Sequence, residues 1–219
     1  MIIELPKEFS FKEEKTGEMA VVEDGILRMT RQTSFRKVMI EITFQMKGRD
    51  ECQYCHMKFT KEEMTVDHMF PIDFGGPTIS NNLLPACKEC NNKKGNMTYQ
   101  QYITFLEAKD AGMDEIYLKA LKKYQELLRK KKIYQIQKNW ITERPIIDIF
   151  TNINLNEDYH KKKYRSYEKY YLTYGIIKCP IIIDKNGFLL DGFLRLMLAK
   201  NYNIKSVPVI MLENVEVIL

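Results

Sequence analysis

The 219-residue sequence predicts an α+β fold, in which most strands and helices occupy different stretches of the chain. Three observations predict this class: a short apolar hairpin pattern near the N-terminus, long stretches with helical periodicity in the middle, and strands alternating with helices in the last third. Apolar residues make up 45% of the chain and charged residues 29%, which excludes a disordered chain, a collagen-like repeat and a coiled coil.

The charge balance is mildly basic, with a formal net charge of +5 and a pI of about 8.8. This balance permits a polyanionic partner without requiring one. The N-terminus has no basic stretch followed by an apolar segment, and no apolar run approaches the roughly 18 residues of a membrane span. We therefore expect a cytoplasmic protein without a membrane partner.

An N-terminal extension is expected over residues 1–48. Residues 20–29 contain two apolar runs around Glu23 and Asp24, which is typical of a short hairpin. Residues 35–46 favour a helix, although the spacing of their apolar residues also fits a strand.

Four of the five cysteines form two Cys-x-x-Cys pairs, Cys52 with Cys55 and Cys87 with Cys90. Two residues between thiolates allow one tight turn to direct both sulfurs at the same ion, and two such turns complete the tetrahedral sulfur shell of structural zinc. The sequence therefore predicts a four-cysteine Zn²⁺ site. Cys179 lies far from both pairs and is interpreted as a small core residue.

Two other interpretations of the first pair are rejected. Cys52 to His56 also matches the attachment pattern of c-type haem, but that chemistry requires export and leaves the second pair unexplained. A redox role needs only one pair, and neither pair lies at a clear strand-to-helix step. The pairs are also separated by 31 residues (87 − 55 − 1), more than the roughly 15–20 residues typical of a plain zinc module.

The segment between and after the pairs contains an ordered set of motifs. Asp67-His68-x-x-Pro71 is followed by a Gly-Gly turn, an Asn-Leu step, the second cysteine pair and Asn-x-x-Lys-Gly. Over residues 49–96 this order resembles the zinc-knuckle branch of the HNH endonucleases. The resemblance implies a ββα-metal core, a β-hairpin followed by a helix with the catalytic ion between them, and a DNA substrate.

The resemblance assigns the general base to His68 and a catalytic metal ligand to Asp67. An imidazole with an ordinary pKa near 6.5 is largely neutral at cytosolic pH, which suits a base. Neighbouring side chains on a strand point to opposite faces, so both residues can serve one site only if the strand twists or bulges at its end.

By the same resemblance, Asn91 joins Asp67 as a metal ligand. Ligation by oxygen alone favours Mg²⁺ or Mn²⁺, although Asn91 could instead simply cap the following helix. Asn82 is expected to brace the loop that orients His68, and the adjacent Asn81 competes for this role.

Three lysines near the second cysteine pair are candidates for contacts with a nucleic-acid backbone, although a merely solvated surface fits them nearly as well. They are Lys88, Lys93 and Lys94. His56 occupies a position where relatives commonly have glycine, so His56 is an alternative candidate for a zinc ligand. Four cysteine sulfurs remain the preferred ligand set.

A capping box at Thr98 and Gln101 predicts a helix to residue 109, which completes a nuclease domain over residues 49–110. A second helix is expected over residues 114–137. Its basic face makes residues 111–140 a helical connector that could be solvated or could follow a phosphate backbone.

A small α/β domain is expected over residues 141–219. Strands are predicted at 145–149, 180–184 and 207–211. After residue 184, an Asn-Gly turn leads into a further strand at 188–190. Helices are predicted at 156–174 and 191–200. The order resembles the ParB/sulfiredoxin-like domain, in which an Asp-Gly-x-x-Arg box handles nucleotide phosphates. Arg195 is the corresponding candidate here, and a surface ion pair is its alternative.

The leading hypothesis is a metal-dependent DNA endonuclease, and the resemblance implies products with 5′-phosphate and 3′-hydroxyl ends. The first alternative is a non-catalytic zinc protein that binds nucleic acid or acts as an adaptor. The second is a nucleotide-dependent switch in the C-terminal domain.

Overall fold

The computed structural model describes residues 1–60, 62–136, 138–151 and 160–218. Within these residues it confirms a mixed α+β architecture. The strands are β1 (Phe9–Glu13), β2 (Glu18–Glu23), β3 (Ile26–Thr30), β4 (Met64–His68), β5 (Leu83–Cys87), β6 (Thr142–Pro145), β7 (Ile181–Asp184), β8 (Leu189–Asp191), β9 (Ser206–Leu212) and β10 (Val215–Ile218). The α-helices are α1 (Phe35–Lys47), α2 (Lys88–Lys94), α3 (Tyr99–Asp110), α4 (Asp114–Lys130), α5 (Lys161–Tyr174) and α6 (Phe193–Asn201).

The first sheet has the strand order β1-β2-β3-β10. The hairpin predicted over residues 20–29 is confirmed as β2 and β3, which pair antiparallel. Its turn lies at Asp24 and Gly25, which both adopt positive φ, a conformation that glycine tolerates without strain. Ala20 and Val22 of β2 point into the core and alternate with more exposed residues, as a half-buried strand requires.

Residues 35–47 form helix α1, which settles the choice between helix and strand in favour of the helix. Ser34 is its N-cap, and the Ser34 side chain accepts a hydrogen bond from the backbone N–H of Lys37. The buried residues of α1 recur at intervals of three and four: Phe35, Val38, Met39 and Ile42, followed by Thr43. This apolar face packs against β5.

Strands β4 and β5 form an antiparallel hairpin in which His68 is opposite Leu83. Helix α2 begins directly after β5 and packs against both strands. Cys87 is its N-cap, and Cys87 Sγ accepts a hydrogen bond from the backbone N–H of Cys90 at 3.3 Å. The hairpin therefore lies between α1 on one side and α2 on the other.

The predicted capping box is confirmed at the start of α3, where the Thr98 and Gln101 side chains each bond the other residue's backbone N–H. Helix α4 ends at Lys130, earlier than the predicted residue 137, which is itself outside the described residues. Lys132 has a positive φ, and the chain beyond it buries Ile136 in the main core. The apolar residues after position 130 thus serve tertiary packing rather than a longer helix.

The second four-stranded sheet has the order β6-β9-β7-β8 and carries α6 against β7. The strand predicted at 145–149 is wrong in position, because β6 lies at Thr142–Pro145. Residues Ile146–Asp148 instead form a 3₁₀ turn, which is closed by a hydrogen bond from the Ile149 N–H to the Ile146 carbonyl. The other predicted strands are confirmed, as are the helices at α5 and α6. The predicted start of α5 at residue 156 lies outside the described residues.

The C-terminal segment packs on the N-terminal one. Strand β10 pairs parallel with β3, and one hydrophobic core holds Val38 of α1 together with Ile182 and Ile210 of the second sheet. The division into four segments remains a prediction. None of the helices in the described part of the chain is both long enough and apolar enough to cross a membrane.

Candidate functional site

The four paired cysteines come together at the junction of the hairpin and α2. Their sulfur atoms all lie within 4.8 Å of one another. A tetrahedral zinc site with Zn–S bonds of about 2.3 Å needs sulfurs about 3.8 Å apart, so this set fits zinc in both chemistry and spacing. His56 is not part of the cluster, because its ring faces Glu51 at 2.7 Å on the surface.

The surroundings of Cys52 favour the thiolate that zinc requires. Burial alone would raise the pKa of this thiol. The backbone N–H groups of Cys55, Cys87 and Tyr54 outweigh burial and lower the pKa to about 7. The cluster therefore includes a thiol that loses its proton readily near neutral pH.

Asp67 lies in a buried polar network between the zinc cluster and α2. The Tyr54 hydroxyl donates to Asp67 Oδ2 at 2.5 Å, and Lys94 Nζ lies 2.9 Å from Oδ2 and 3.1 Å from Oδ1. Lys94 Nζ also donates to the carbonyl oxygen of His68 at 2.8 Å. Three oxygen atoms of β4 therefore surround one cation, which is the ammonium of Lys94.

This network corrects the prediction for Lys94. The Lys94 side chain is 0% exposed, so its ammonium is not available to a phosphate on the surface. Burial lowers the pKa of Lys94, and the charge of Asp67 acts in the opposite direction to keep the ammonium charged. The periodicity of a seven-residue helix could not reveal that its last residue points inward.

Replacing Lys94 by methionine should destabilise the protein by about 3–5 kcal/mol, because it leaves the Asp67 carboxylate buried without a cation. The free energy of unfolding, measured by urea denaturation, checks this. Lys93 provides a matched control: it is exposed and pairs with Glu89 one turn away, so Lys93→Met should leave the free energy of unfolding nearly unchanged. Equal stability of the two variants would contradict the structural role of Lys94.

Asn91 approaches the same strand from α2. Its Nδ2 donates to Thr65 Oγ1 at 3.0 Å and to the carbonyl of Val66 at 3.4 Å. Asn91 Oδ1 accepts no hydrogen bond from the residues that the structure describes. The donor chemistry of Asp67 and Asn91 suits a hard divalent ion, but an ion at Asp67 competes with the ammonium of Lys94.

His68 points to the other face of β4, towards α1, and β4 pairs with β5 in unbroken register, so no bulge in the described hairpin brings His68 and Asp67 to one face. Its Nε2 lies 2.9 Å from Thr78 Oγ1, which fixes the orientation of the ring. Burial first, and then the positive charges of Arg36 and Lys94, lower the pKa of His68 to about 4, although Asp191 acts in the opposite direction. The imidazole is therefore neutral at pH 7 and able to accept a proton.

The His68 ring opens onto a cavity of about 340 Å³ between the hairpin and α1. Its lining residues are Arg36, Ile40, Phe44, Met64, Thr65, Val66, His68, Thr78 and Leu83. Arg36, Thr65 and Thr78 are the polar members that the sequence did not indicate, because Arg36 lies outside the motif and neither threonine has a distinctive spacing. The sequence also does not indicate Tyr54, the hydroxyl donor to Asp67, which lies between two cysteines.

Asn82, rather than Asn81, bonds the loop that follows His68. Its Oδ1 accepts from the N–H of Phe70 at 2.8 Å, and its Nδ2 donates to the carbonyls of Phe70 and Pro77 at 3.1 and 2.8 Å. Asn81 Oδ1 instead accepts from the N–H of Glu4. The loop approaches itself so closely here that a side chain on Gly76 would place Cβ 1.6 Å from the Phe70 carbonyl oxygen.

The remaining predicted residues lie in different environments. Lys88 and Lys93 are exposed on α2. Arg195 is buried, and its two terminal nitrogens donate to Asp191 Oδ2 and to the Pro180 carbonyl, each at 2.6 Å. This is against its predicted role as a phosphate ligand, because the guanidinium is buried and its charge is already paired with Asp191.

The second sheet also reaches the hairpin loop, where Cys179 Sγ lies 3.5 Å from the Gly76 carbonyl oxygen. Cys179 is buried, and burial raises the pKa of its thiol to about 11. It is therefore a packing residue, as the sequence predicts.

Comparison with known proteins finds similarity over a limited part of the chain. Thirty-seven residues are 54% identical to an uncharacterised protein, ORF326b, of Acidianus two-tailed virus, covering 17% of this chain and 11% of that protein. Sixty-three residues are 36% identical to the Septu protein PtuB of Bacillus thuringiensis, covering 27% of this chain and 24% of that protein. The chain thus spans a quarter or less of the length of these curated relatives.

The cysteine cluster, the hairpin and α2 coincide with a match to a family model. That model describes an HNH endonuclease and covers residues 52–105. These residues include all four clustered cysteines together with Asp67, His68 and Asn91. The match supports assigning residues 52–105 to the HNH endonuclease family.

Proposed function

We propose that this protein is a metal-dependent DNA endonuclease whose hairpin and α2 form a ββα-metal core. One observation carries the proposal: a single hairpin–helix unit holds four clustered thiols, a buried carboxylate and a neutral imidazole that opens onto a cavity. The match of the same segment to the HNH endonuclease family supports it.

His68 acts as the general base. Its neutral imidazole accepts the proton of the attacking water, and the hydrogen bond with Thr78 holds the ring in one orientation during that transfer. Asn82 acts as a positioning residue, because its three bonds to backbone groups keep the loop after His68 in one conformation.

Asp67 and Asn91 are proposed to hold the catalytic ion, Mg²⁺ or Mn²⁺. When bound, such an ion neutralises charge on the phosphate and on the departing 3′ oxygen. For Asp67 to accept the ion, Lys94 Nζ has to withdraw from the carboxylate, since it lies within 3.1 Å of both oxygens. The end of β4 also has to twist so that His68 turns towards the same phosphate, because neither Asp67 nor Asn91 lines the His68 cavity. The four thiolates hold a separate structural Zn²⁺.

The surrounding segments are proposed to support this core. Residues 49–110 form the nuclease domain and residues 111–140 a basic connector. Residues 141–219 form a ParB/sulfiredoxin-like unit, and the negative charge of its Asp191 acts on the pKa of His68. Lys88 and Lys93 on the surface of α2 are proposed contacts for the nucleic-acid backbone.

Plasmid nicking with Mg²⁺, Mn²⁺ and Ni²⁺ in turn tests the function. We expect cleavage with Mg²⁺ or Mn²⁺, and a loss of roughly 10–100-fold in Asn91→Ala at limiting ion concentration, the cost typical of disturbing a metal site. Asn92→Ala is the matched control, because Asn92 is the exposed neighbour on α2 and should leave the rate unchanged.

A second function is favoured by the Lys94–Asp67 pair. A carboxylate already neutralised by an internal ammonium needs no metal ion, as expected of a non-catalytic zinc protein that binds nucleic acid or a protein partner. Plasmid DNA that stays intact with all three ions would establish this alternative and contradict the endonuclease.

A further inference from the structure

The His68 cavity is bounded by a segment that does not belong to the matched family region. Helix α1 covers the hairpin face that His68 occupies, and Arg36 in its first turn lines the cavity together with His68 and Thr78. Residue 36 lies 16 positions before the start of the matched segment at residue 52 (52 − 36). The cavity is therefore shared between the hairpin and the N-terminal part of the chain.

Arg36 brings a charge that the fold itself does not use. Its side chain is exposed, and among the described residues it forms neither a hydrogen bond nor an ion pair. The other arginine that reaches this region, Arg195, is buried and held by Asp191 and the Pro180 carbonyl. Arg36 therefore has a guanidinium whose donors remain available to an anion.

The acid at the N-terminal end of α1 is engaged by other groups than Arg36. The first turn of this 13-residue helix contains no acidic residue of its own, and the carboxylate that offsets the positive charge of its N-terminus comes from β2. Glu18 is the nearby acid, and its carboxylate already accepts hydrogen bonds from the Lys37 ammonium and the Ser34 backbone N–H.

Asp191 of the second sheet carries a negative charge that acts on His68, and this charge is also partly neutralised. Asp191 forms an ion pair with Arg195 at 2.6 Å. Within the described residues, the polar side chains that line the cavity are those of Arg36, His68, Thr65 and Thr78. His68 and Thr78 bond each other and Thr65 bonds the Ala86 carbonyl, which leaves Arg36 as the charged donor. A phosphodiester accepts hydrogen bonds from such a donor, whereas Arg36 repels a cationic ligand.

We propose that Arg36 binds the phosphodiester cleaved beside His68 and fixes it within reach of the imidazole. The proposal rests on the endonuclease function and deepens it, because it assigns a substrate contact to a residue outside the matched segment. A guanidinium that forms two hydrogen bonds positions a phosphate more firmly than the single charge of an ammonium does. Arg36→Lys should therefore retain only part of the function of Arg36.

Salt-dependent binding of a fluorescent DNA duplex tests the contact without requiring cleavage. Measured with the His68→Ala variant as the parent, Arg36→Ala should reduce the slope of log affinity against log salt concentration by about 0.9, the value for one lost phosphate contact. Arg36→Lys should retain most of the slope. Lys15→Ala, which removes a charge from an exposed turn outside the cavity lining, should not reproduce the binding defect.

Single-turnover cleavage with the His68-containing protein provides the second readout. Arg36→Ala should lower the rate by roughly 10–100-fold at saturating DNA, the scale expected when a reacting group is misplaced by about 1 Å. Arg36→Lys should recover part of that loss.

The outcomes separate this inference from the proposed function. Cleavage by the unmodified protein, together with an Arg36→Ala variant of unchanged salt slope and unchanged rate, would overturn the phosphate contact and leave the endonuclease intact. Absence of cleavage together with a reduced salt slope would overturn the endonuclease and support Arg36 as a phosphate-binding residue. A Lys15→Ala slope that falls as far as that of Arg36→Ala would also overturn a specific contact.

Discussion

Replacing His68 by alanine is expected to lower DNA cleavage by roughly 10²–10⁴-fold, the usual contribution of a general base. The reason is that His68 supplies a neutral imidazole in an open cavity, with a pKa lowered to about 4 by burial and by the charges of Arg36 and Lys94. Alanine removes the proton acceptor without leaving a buried charge. Plasmid nicking with Mg²⁺ or Mn²⁺ measures the effect.

Two controls make this result specific. The bound zinc and the thermal unfolding midpoint should be nearly unchanged, because within the described residues the His68 side chain forms one hydrogen bond, with Thr78. His56→Ala should cleave normally, since His56 is an exposed histidine that pairs with Glu51 beside the zinc cluster. Retained nicking in His68→Ala would refute the assignment of the base.

Removing the zinc ion is expected to unfold the hairpin–helix unit, with an effect on the scale of the about 10–16 kcal/mol by which zinc binds small structural sites. The core around the four cysteines is small and consists of few other buried side chains, notably Tyr54, Tyr102 and Leu121. The metal therefore supplies folding energy that apolar burial alone does not provide. Chelation, or Cys90→Ser, should abolish the secondary structure of residues 52–105.

Elemental analysis and circular dichroism check this expectation. We expect one zinc ion per chain in the unmodified protein and less than one in Cys90→Ser. Cys179→Ala is the matched control, because Cys179 is equally buried but lies outside the sulfur cluster, so its zinc content should stay at one. A chain that keeps its zinc and its fold in Cys90→Ser would contradict a four-sulfur structural site.

The candidate site was predictable from the sequence where chemistry depends on spacing. The Cys-x-x-Cys pairs place four sulfurs together because each pair occupies one tight turn, and the Asp67-His68 step places two different groups on one strand end. The capping box of α3 was predictable for the same reason, since all its hydrogen bonds are local.

Features that depend on long-range packing could not be predicted. Lys94 and Arg195 are both positively charged and suited to a phosphate in sequence, yet both are buried beside a carboxylate from another turn or strand. Helix α4 is shorter than its periodicity predicts, because the residues after it are recruited to the main core.

The sequence by itself determined the four-cysteine cluster and the hairpin–helix order, because these follow from short spacings along one segment. It also indicated Asp67, His68 and Asn91 as candidate site residues. Only the tertiary structure decided that Lys94 neutralises Asp67 and that Arg36 stands beside His68. The physical reason is that burial and electrostatic pairing depend on distances between side chains far apart in the chain, and those distances are set by how α1 and α2 pack on opposite faces of one hairpin.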